Sequence, residues 1–207
     1  PATDVRKGWF LDENRKSRNL SEAQQDYVDG FVLGAPNYGN DESTNIMPYT
    51  NVKFDSYQSV LEQGMNASDV PLMRVEEMYL IKAEGEAMSG NTGGAKETLN
   101  NFVRTYRDPS YACLANDAKG IQNEVWMQRR VELWGEGLSY FDIMRLKKNI
   151  DRRGCRFPDA WVYNITYGPG DGDCMLYLVP DMELSANKAI KPADNNPSSQ
   201  QPTVVSE

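Results

Sequence analysis

The chain has 207 residues, a formal net charge of −8 and no histidine. This length is sufficient for a domain with a hydrophobic core. An acidic chain without a basic patch argues against nucleic-acid binding. The lack of histidine excludes Ser-His-Asp and Cys-His machinery from this segment and removes the commonest metal ligand. No signal peptide or membrane-spanning run is present. No cofactor or metal is expected in this segment.

The first sixty residues are predicted to be largely irregular. Residues 21–28 favour a short helix with Ser21 as its N-cap, and residues 51–54 favour a short strand. Glycine, proline, asparagine and aspartate are dense between residues 30 and 41, which predicts a long, turn-rich loop. Loops of this length inside a compact domain are more often functional than neutral.

Asn37, Tyr38 and Tyr49 are the candidate ligand-binding residues, because they lie in or beside this loop. A tyrosine ring offers a flat apolar face with a polar edge, which suits stacking against a sugar ring, and an asparagine side chain can hydrogen-bond sugar hydroxyls. The alternative is that Tyr38 and Tyr49 only anchor the loop to the protein core.

Residues 70–106 predict a helical hairpin, with Asp69 as cap, Pro71 in the first turn, Gly90 at the first helix end and residues 91–94 as the turn. The predicted apolar stripe of the first helix comprises Leu72, Val75, Met78, Tyr79, Ile81, Lys82, Ala83 and Ala87. Small residues allow the two helices to approach closely. This pairing resembles a tetratricopeptide-like unit.

Several carboxylates of the first hairpin helix raise the question of hydrolysis, which uses paired carboxylates. They are Glu76, Glu77, Glu84 and Glu86. No pair among them stands out by predicted burial, so a solvated face is favoured, with Glu77 or Glu84 turned toward Arg129 or Arg130. The sequence therefore does not predict an enzyme.

The stretch from residue 117 to 148 predicts two further helices separated at Gly135 and Gly137, with Asn116 or Asp117 as the cap of the first. The predicted apolar face of the first helix comprises Val125, Trp126, Val131, Leu133 and Trp134, and that of the second comprises Leu138, Phe141, Ile143, Met144 and Leu146.

Charged residues lie among these core candidates, and a buried charge needs a partner. We predict a structural ion-pair network formed by Arg129, Arg130, Glu132, Glu136, Asp142 and Arg145. A structural role is favoured over catalysis, since charged networks also occur away from active sites.

Beyond residue 149 the helical pattern stops. Residues 161–165 and 175–179 are short strand candidates that pair with each other in the simplest arrangement. Asp171 to Asp173 form a turn rather than a calcium loop, because the other regularly spaced ligands are missing. The cysteines show no zinc-site spacing. Cys155 and Cys174 are candidates for a disulfide if the protein is exported, and two free thiols are the favoured alternative. Residues 185–207 are predicted to form an extended polar tail.

Four segments, in order, carry a family resemblance. Gln128-Arg129-Arg130-Val131-Glu132-Leu133-Trp134-Gly135-Glu136-Gly137 followed by Phe141-Asp142-Ile143-x-Arg145 resembles the signature of SusD/RagB-like proteins. The segment from Asp4 to Phe10, the helix from Met73 to Ala87 and the ending around Leu178-Val179-Pro180 resemble further segments of the same family. Gln128 and Ser139 depart from the usual pattern.

The resemblance implies a mainly α fold with tetratricopeptide-like helical hairpins, long irregular loops and a small β element. It implies that residues 1–207 are a single domain, the C-terminal portion of a SusD-like protein whose N-terminal part and lipid anchor lie outside this segment.

The resemblance also implies a non-catalytic function, the binding of an oligosaccharide or another nutrient at the cell surface. The expected partner is a SusC-like TonB-dependent transporter of the outer membrane. Membrane attachment is expected only through a lipid anchor outside these residues. The alternative from the residues alone is a tetratricopeptide-like scaffold that binds a protein.

Overall fold

The structure, a computed structural model, describes residues 1–30, 46–54, 72–151, 164–165 and 176–196. The chain divides into two compact units, Pro1–Glu132 and Leu133–Glu207. The described part is mainly helical, as predicted. Asn37, Tyr38, Cys155, Cys174 and the turn at residues 171–173 lie outside the described residues.

The first α-helix, α1, covers Glu22–Gly30. Gln24 N donates to Ser21 Oγ at 3.3 Å, and Ser21 N donates to Gln24 Oε1 at 2.9 Å. This reciprocal pair is a capping box, which satisfies two backbone donors at the helix start. The predicted cap at Ser21 is confirmed, and the helix continues two residues beyond the predicted end.

The predicted hairpin is formed by α2, Val75–Met88, and α3, Thr92–Tyr106. Gly90 takes a φ of 93°, which suits glycine after a helix end. Asn91 accepts a hydrogen bond from Gly94 N at 3.0 Å and caps α3. The turn is therefore shorter than predicted, because capping by Asn91 places residues 92–94 inside the helix.

The hairpin packs against α4, Ala118–Glu132, around one hydrophobic core. This core comprises Leu80, Ala83, Ala87, Ala95, Leu99, Phe102, Val103, Cys113, Ile121 and Val125. The predicted stripe of α2 is wrong in part, since Leu80 is fully buried whereas Val75 and Ile81 are exposed. Burial of a leucine or phenylalanine side chain contributes about 1.5–3 kcal/mol.

Helix α4 begins at the predicted cap, because Gly120 N donates to Asp117 Oδ1 at 2.9 Å. Its buried residues are Ile121, Gln122, Val125, Arg129 and Glu132. The predicted apolar face is wrong at Val131 and Trp134, which are exposed. The buried stripe follows helical spacing but ends in charged residues, so apolar spacing alone gives only part of the buried face.

In the second unit, Gly135 and Gly137 take φ values of 79° and 77° ahead of α5, Ser139–Leu146. Such values favour glycine, as predicted for this interruption. Helix α6 covers Asp181–Ala186, and a 3-10 helix covers Pro192–Asp194.

The β element consists of β1, Ile150–Asp151, paired antiparallel with β2, Asn164–Ile165. Ile150 lies opposite Ile165 in this register. The predicted partner was wrong, because residues 176–179 lie outside any strand. Among the described residues, no helix combines the length and apolar character needed to cross a membrane.

Candidate functional site

The candidate site is built on two paired segments of the first unit. The 3-10 helix Val5–Trp9 leads into an antiparallel bridge between Phe10 and Asn51. Leu11 N donates to Thr50 O at 2.9 Å, and Val52 N donates to Trp9 O at 2.8 Å. These hydrogen bonds fix residues 46–54 against the start of the chain.

Tyr49 lies at the tip of the second segment. Thr50 N donates to Met47 O at 3.2 Å, which closes a four-residue turn with Pro48 in its second position. Tyr49 has a φ of 67°. A turn with proline second and a positive φ third is type II, and its third position usually holds glycine. The side chain of Tyr49 is 65% exposed, so this strained backbone presents an aromatic ring to solvent.

Beside this ring lies an open cavity of about 470 Å³. It is lined by Lys7, Gly8, Phe10, Leu11, Asp12, Glu13, Lys16, Ser17, Arg18 and Tyr49. The volume lies within the range of small-molecule sites. The lining joins aromatic and apolar surface to side chains of both charges, which suits a ligand with both apolar faces and hydroxyl groups.

Part of the cavity lining comes from a tight loop closed by Asp12. Its Oδ1 accepts hydrogen bonds from Asn14 N and Lys16 N, both at 2.8 Å. Arg15 in this loop has a φ of 62°, and its carbonyl accepts a hydrogen bond from Gln25 Nε2 at 3.0 Å. Left-handed non-glycine residues therefore occur in this loop and in the Tyr49 turn, and such strain is common at functional sites.

The loop is tied to its surroundings by polar contacts. Lys16 forms an ion pair with Asp29 of α1, and Ser17 Oγ donates to the Gly8 carbonyl. Within the described part of the chain, neither Lys7 nor Glu13 forms an ion pair. Arg18 also lines the cavity and donates to the Asp4 carbonyl. The cavity therefore offers the Lys7 ammonium, the Arg18 guanidinium, the Glu13 carboxylate and the Tyr49 phenol for contacts with a ligand.

A buried cluster of charges lies at the end of α4. The Glu132 side chain is fully buried, and it accepts hydrogen bonds from Arg107 Nε and Nη2, both at 2.8 Å. Arg74 Nη1 lies 3.2 Å from Glu132 Oε1, and Arg6 Nη1 lies 3.6 Å from Oε2. Three guanidinium groups thus surround one carboxylate and offset its desolvation.

Two further carboxylates share these arginines. Asp4 pairs with Arg6 at 2.9 Å, and Glu76 pairs with Arg107 at 2.9 Å. Burial raises the pKa of the Asp4 carboxyl, but hydrogen bonds from Arg6 outweigh it, and the net pKa is lowered. The hydrogen bonds to Glu132 outweigh burial and raise the pKa of Arg107.

The predicted ion-pair residues have different partners. Arg129 Nη2 donates to Glu77 Oε1 at 3.1 Å, which confirms the predicted Glu77 contact. The Arg130 guanidinium lies 5.1 Å from the Trp126 ring centroid. In the second unit, Arg145 Nε donates to Asp142 Oδ1 at 2.8 Å, and Glu136 lies half-buried ahead of α5.

Sequence reasoning missed the three arginines around Glu132. Arg6 and Arg74 lie in segments that carry the family resemblance, and this marked both segments as part of the fold. Nothing in the sequence indicated that these two arginines contact Glu132. Of the predicted ligand residues, Tyr49 lines the cavity.

The sequence model of the SusD family matches residues 5–203. The chain belongs to the SusD family. Among solved structures, it is similar to a SusD-like carbohydrate binding protein from Bacteroides vulgatus ATCC 8482, with 27% sequence identity and a TM-score of 0.53. The match covers 72% of this chain and 34% of that chain, so this SusD-family chain spans about a third of the relative. A comparison with curated proteins found no match.

Proposed function

We propose that this SusD-family chain takes part in non-catalytic carbohydrate binding, and that the cavity beside Tyr49 contacts the sugar. One observation carries the proposal: the exposed Tyr49 lines a cavity whose other lining residues are both polar and apolar. The SusD-like relative is a carbohydrate binding protein, which supports the same ligand class.

Stacking on the ring explains how a sugar binds here. The apolar face of a pyranose packs on the Tyr49 ring, while hydroxyl groups accept from Lys7 and donate to Glu13. The cavity is open, so a bound sugar stays partly solvated, and weak affinity is expected.

Binding without bond cleavage is supported by the state of the carboxylates on α2. Glu76 pairs with Arg107, Glu77 pairs with Arg129, and Glu84 accepts from Gln122 Nε2 at 2.9 Å. Glu86 accepts from Thr98 Oγ1 at 2.7 Å. These side chains serve helix contacts, which favours a structural role for them over acid–base chemistry.

Family membership supports the remaining parts of the proposal. The protein acts at the cell surface of the outer membrane, held by a lipid anchor, and delivers its oligosaccharide or other nutrient to a SusC-like TonB-dependent transporter. Co-purification of such a transporter with the tagged full-length protein from its native membrane is the test of this partner.

Isothermal titration of the full-length protein, with a ligand first found on a glycan array, tests the sugar site. Tyr49→Ala should weaken binding about fivefold, as expected for loss of roughly 1 kcal/mol of stacking. Tyr106→Ala, which removes a comparably exposed tyrosine of α3, is the matched control and should bind like the wild type. Equal affinity of all three proteins would place the sugar elsewhere.

A second candidate is a tetratricopeptide-like scaffold that binds a protein. The observation favouring it is the set of exposed apolar residues Val75, Ile81 and Met88 on α2. Recovery of one soluble partner whose binding is lost in Ile81→Asp, with glycan binding absent, would favour this function.

A further inference from the structure

The end of α4 contacts both segments that build the Tyr49 cavity. Its last residue, Glu132, presents two acceptors there, the buried side-chain carboxylate and the backbone carbonyl. Arg6 forms an ion pair with the carboxylate, and Lys53 donates a hydrogen bond to the carbonyl. Arg6 belongs to the 3-10 helix that leads into the cavity wall, and Lys53 belongs to the segment that carries Tyr49.

Lys53 makes a specific contact. Its Nζ donates to Glu132 O at 2.8 Å and lies 4.6 Å from the Trp9 ring centroid and 5.2 Å from that of Phe54. A helix C-terminus has carbonyls without helical partners and a partial negative charge, so an ammonium group is stabilised there. The aromatic rings add cation–π attraction on the same group.

Arg6 fixes the other segment. Its side chain is 4% exposed, Nη2 pairs with Asp4 at 2.9 Å, and Nη1 lies 3.6 Å from Glu132 Oε2. Asp4 Oδ1 also accepts from Arg6 N at 2.9 Å and caps the 3-10 helix. The same glutamate that accepts from Lys53 therefore also contacts residues 5–9, which a hydrogen bond from Val5 N to the Arg107 carbonyl at 2.8 Å holds as well.

We infer that Glu132 and Lys53 are positioning residues of the sugar site, which act through the Tyr49 turn without touching the ligand. The inference rests on the proposed function for its effect on affinity. Lys53 is separated from Tyr49 by Thr50, Asn51 and Val52, whose backbones pair with residues 9–11. Holding Lys53 at the α4 terminus therefore holds the register of this pairing and the place of the ring.

Amide hydrogen exchange tests the positioning without any ligand. The amides of Leu11 and Val52 report the pairing, the amide of Thr50 reports the turn that carries Tyr49, and the amides of α3 report the core. In the full-length protein, Lys53→Met should exchange about tenfold faster at the three reporters, as expected for loss of a charge-assisted hydrogen bond, with α3 unchanged. Lys96→Met, a half-buried lysine of α3 bonded to Asn116, is the control and should leave the reporters unchanged.

A double-mutant cycle tests the link to binding. Lys53→Met should weaken glycan affinity about threefold to tenfold. Combined with Tyr49→Ala it should add no further loss, because it acts through that ring. Lys53→Arg keeps the charge and should retain most of the affinity. Glu132→Gln leaves the backbone carbonyl that accepts from Lys53 and weakens the carboxylate contact with Arg6, so it tests the second segment separately and should also weaken affinity.

The outcomes separate the two proposals. Wild-type exchange at Leu11, Thr50 and Val52 in Lys53→Met overturns the positioning role, as do losses in affinity that multiply in the double variant. Faster exchange at the reporters in a protein that binds no glycan supports the positioning role and rejects the proposed function instead.

Discussion

Arg107 binds the Glu132 carboxylate through two parallel hydrogen bonds, with Nε and Nη2 each 2.8 Å from a carboxylate oxygen. Arg107 lies at the end of α3 and Glu132 at the end of α4, so this fork joins the ends of two core helices. The planar guanidinium is the side chain best suited to such a contact. The Arg-Arg-x-Glu part of the family signature thus ends in a buried charge cluster.

Loss of the Glu132 carboxylate should strongly destabilise the first unit. Glu132→Ala leaves the guanidiniums of Arg6, Arg74 and Arg107 close together without their shared anion, and we expect a loss of about 3–5 kcal/mol. Urea unfolding at pH 7 measures this. Glu97→Ala, which removes an exposed carboxylate from α3, should change the unfolding free energy by less than about 0.5 kcal/mol. Similar midpoints for both variants would show that the cluster contributes little.

Acid should weaken the fold through the same cluster. For Asp4 and Glu76, burial raises the pKa, but hydrogen bonds and the charges of nearby arginines outweigh it, so both pKa values are lowered from 3.8 and 4.5. A lowered folded pKa contributes stability that is complete above the ordinary value and is lost as the pH falls through the folded value. Stability should therefore fall as the pH drops below about 4.5.

Urea midpoints measured between pH 3 and pH 7 test this acid dependence. The combined variant Asp4→Asn and Glu76→Gln should be less stable at neutral pH and lose less on acidification. A curve parallel to that of the wild type would mean that other carboxylates govern the acid response.

Cys113 should be chemically inert in the native protein. It is a buried thiol of the hairpin core, and burial raises its pKa, so the reactive thiolate is scarce at neutral pH. In a variant with Cys155→Ser and Cys174→Ser, iodoacetamide should label Cys113 slowly until urea unfolds the protein. Rapid native labelling, read by mass spectrometry, would contradict the burial of this side chain.

Local signals in the sequence were sufficient for the helix starts. Ser21 and Asp117 both cap where predicted, because a cap depends on neighbours two or three residues away. The buried face of α4 was not predictable in the same way. Arg129 and Glu132 occupy it because their partners arrive from α2, α3 and the start of the chain, and periodicity carries no information about such contacts.

The candidate site, too, could be predicted from the sequence only in part. Tyr49 was predicted from its composition and context, but the cavity depends on the pairing of residues 9–11 with residues 50–52. Of the strand expected at residues 51–54, only the bridge at Asn51 forms, and pairings of two or three residues leave almost no pattern that identifies their partner. The same holds for β1, whose partner β2 was expected to pair with a later segment.

The left-handed backbone at Tyr49 should lower the stability of the protein, although it presents the ring for ligand binding. A residue with a Cβ in the left-handed region is strained by roughly 1–2 kcal/mol, whereas glycine is not. Tyr49→Gly and Tyr49→Ala both remove the ring and should bind glycan equally poorly. Tyr49→Gly should nevertheless be the more stable of the two by about 1 kcal/mol, because only it relieves the backbone strain.

An exposed position in the middle of a helix supplies the control for this turn. Met127 lies in α4, where φ is helical, so Met127→Gly should be less stable than Met127→Ala by about 1 kcal/mol. Glycine should therefore give the more stable variant at position 49, and alanine should give the more stable variant at position 127. Urea unfolding of the four variants measures both differences. Greater stability of alanine at both positions would mean that residue 49 relaxes out of the left-handed region, and that the type II turn does not hold the ring over the cavity.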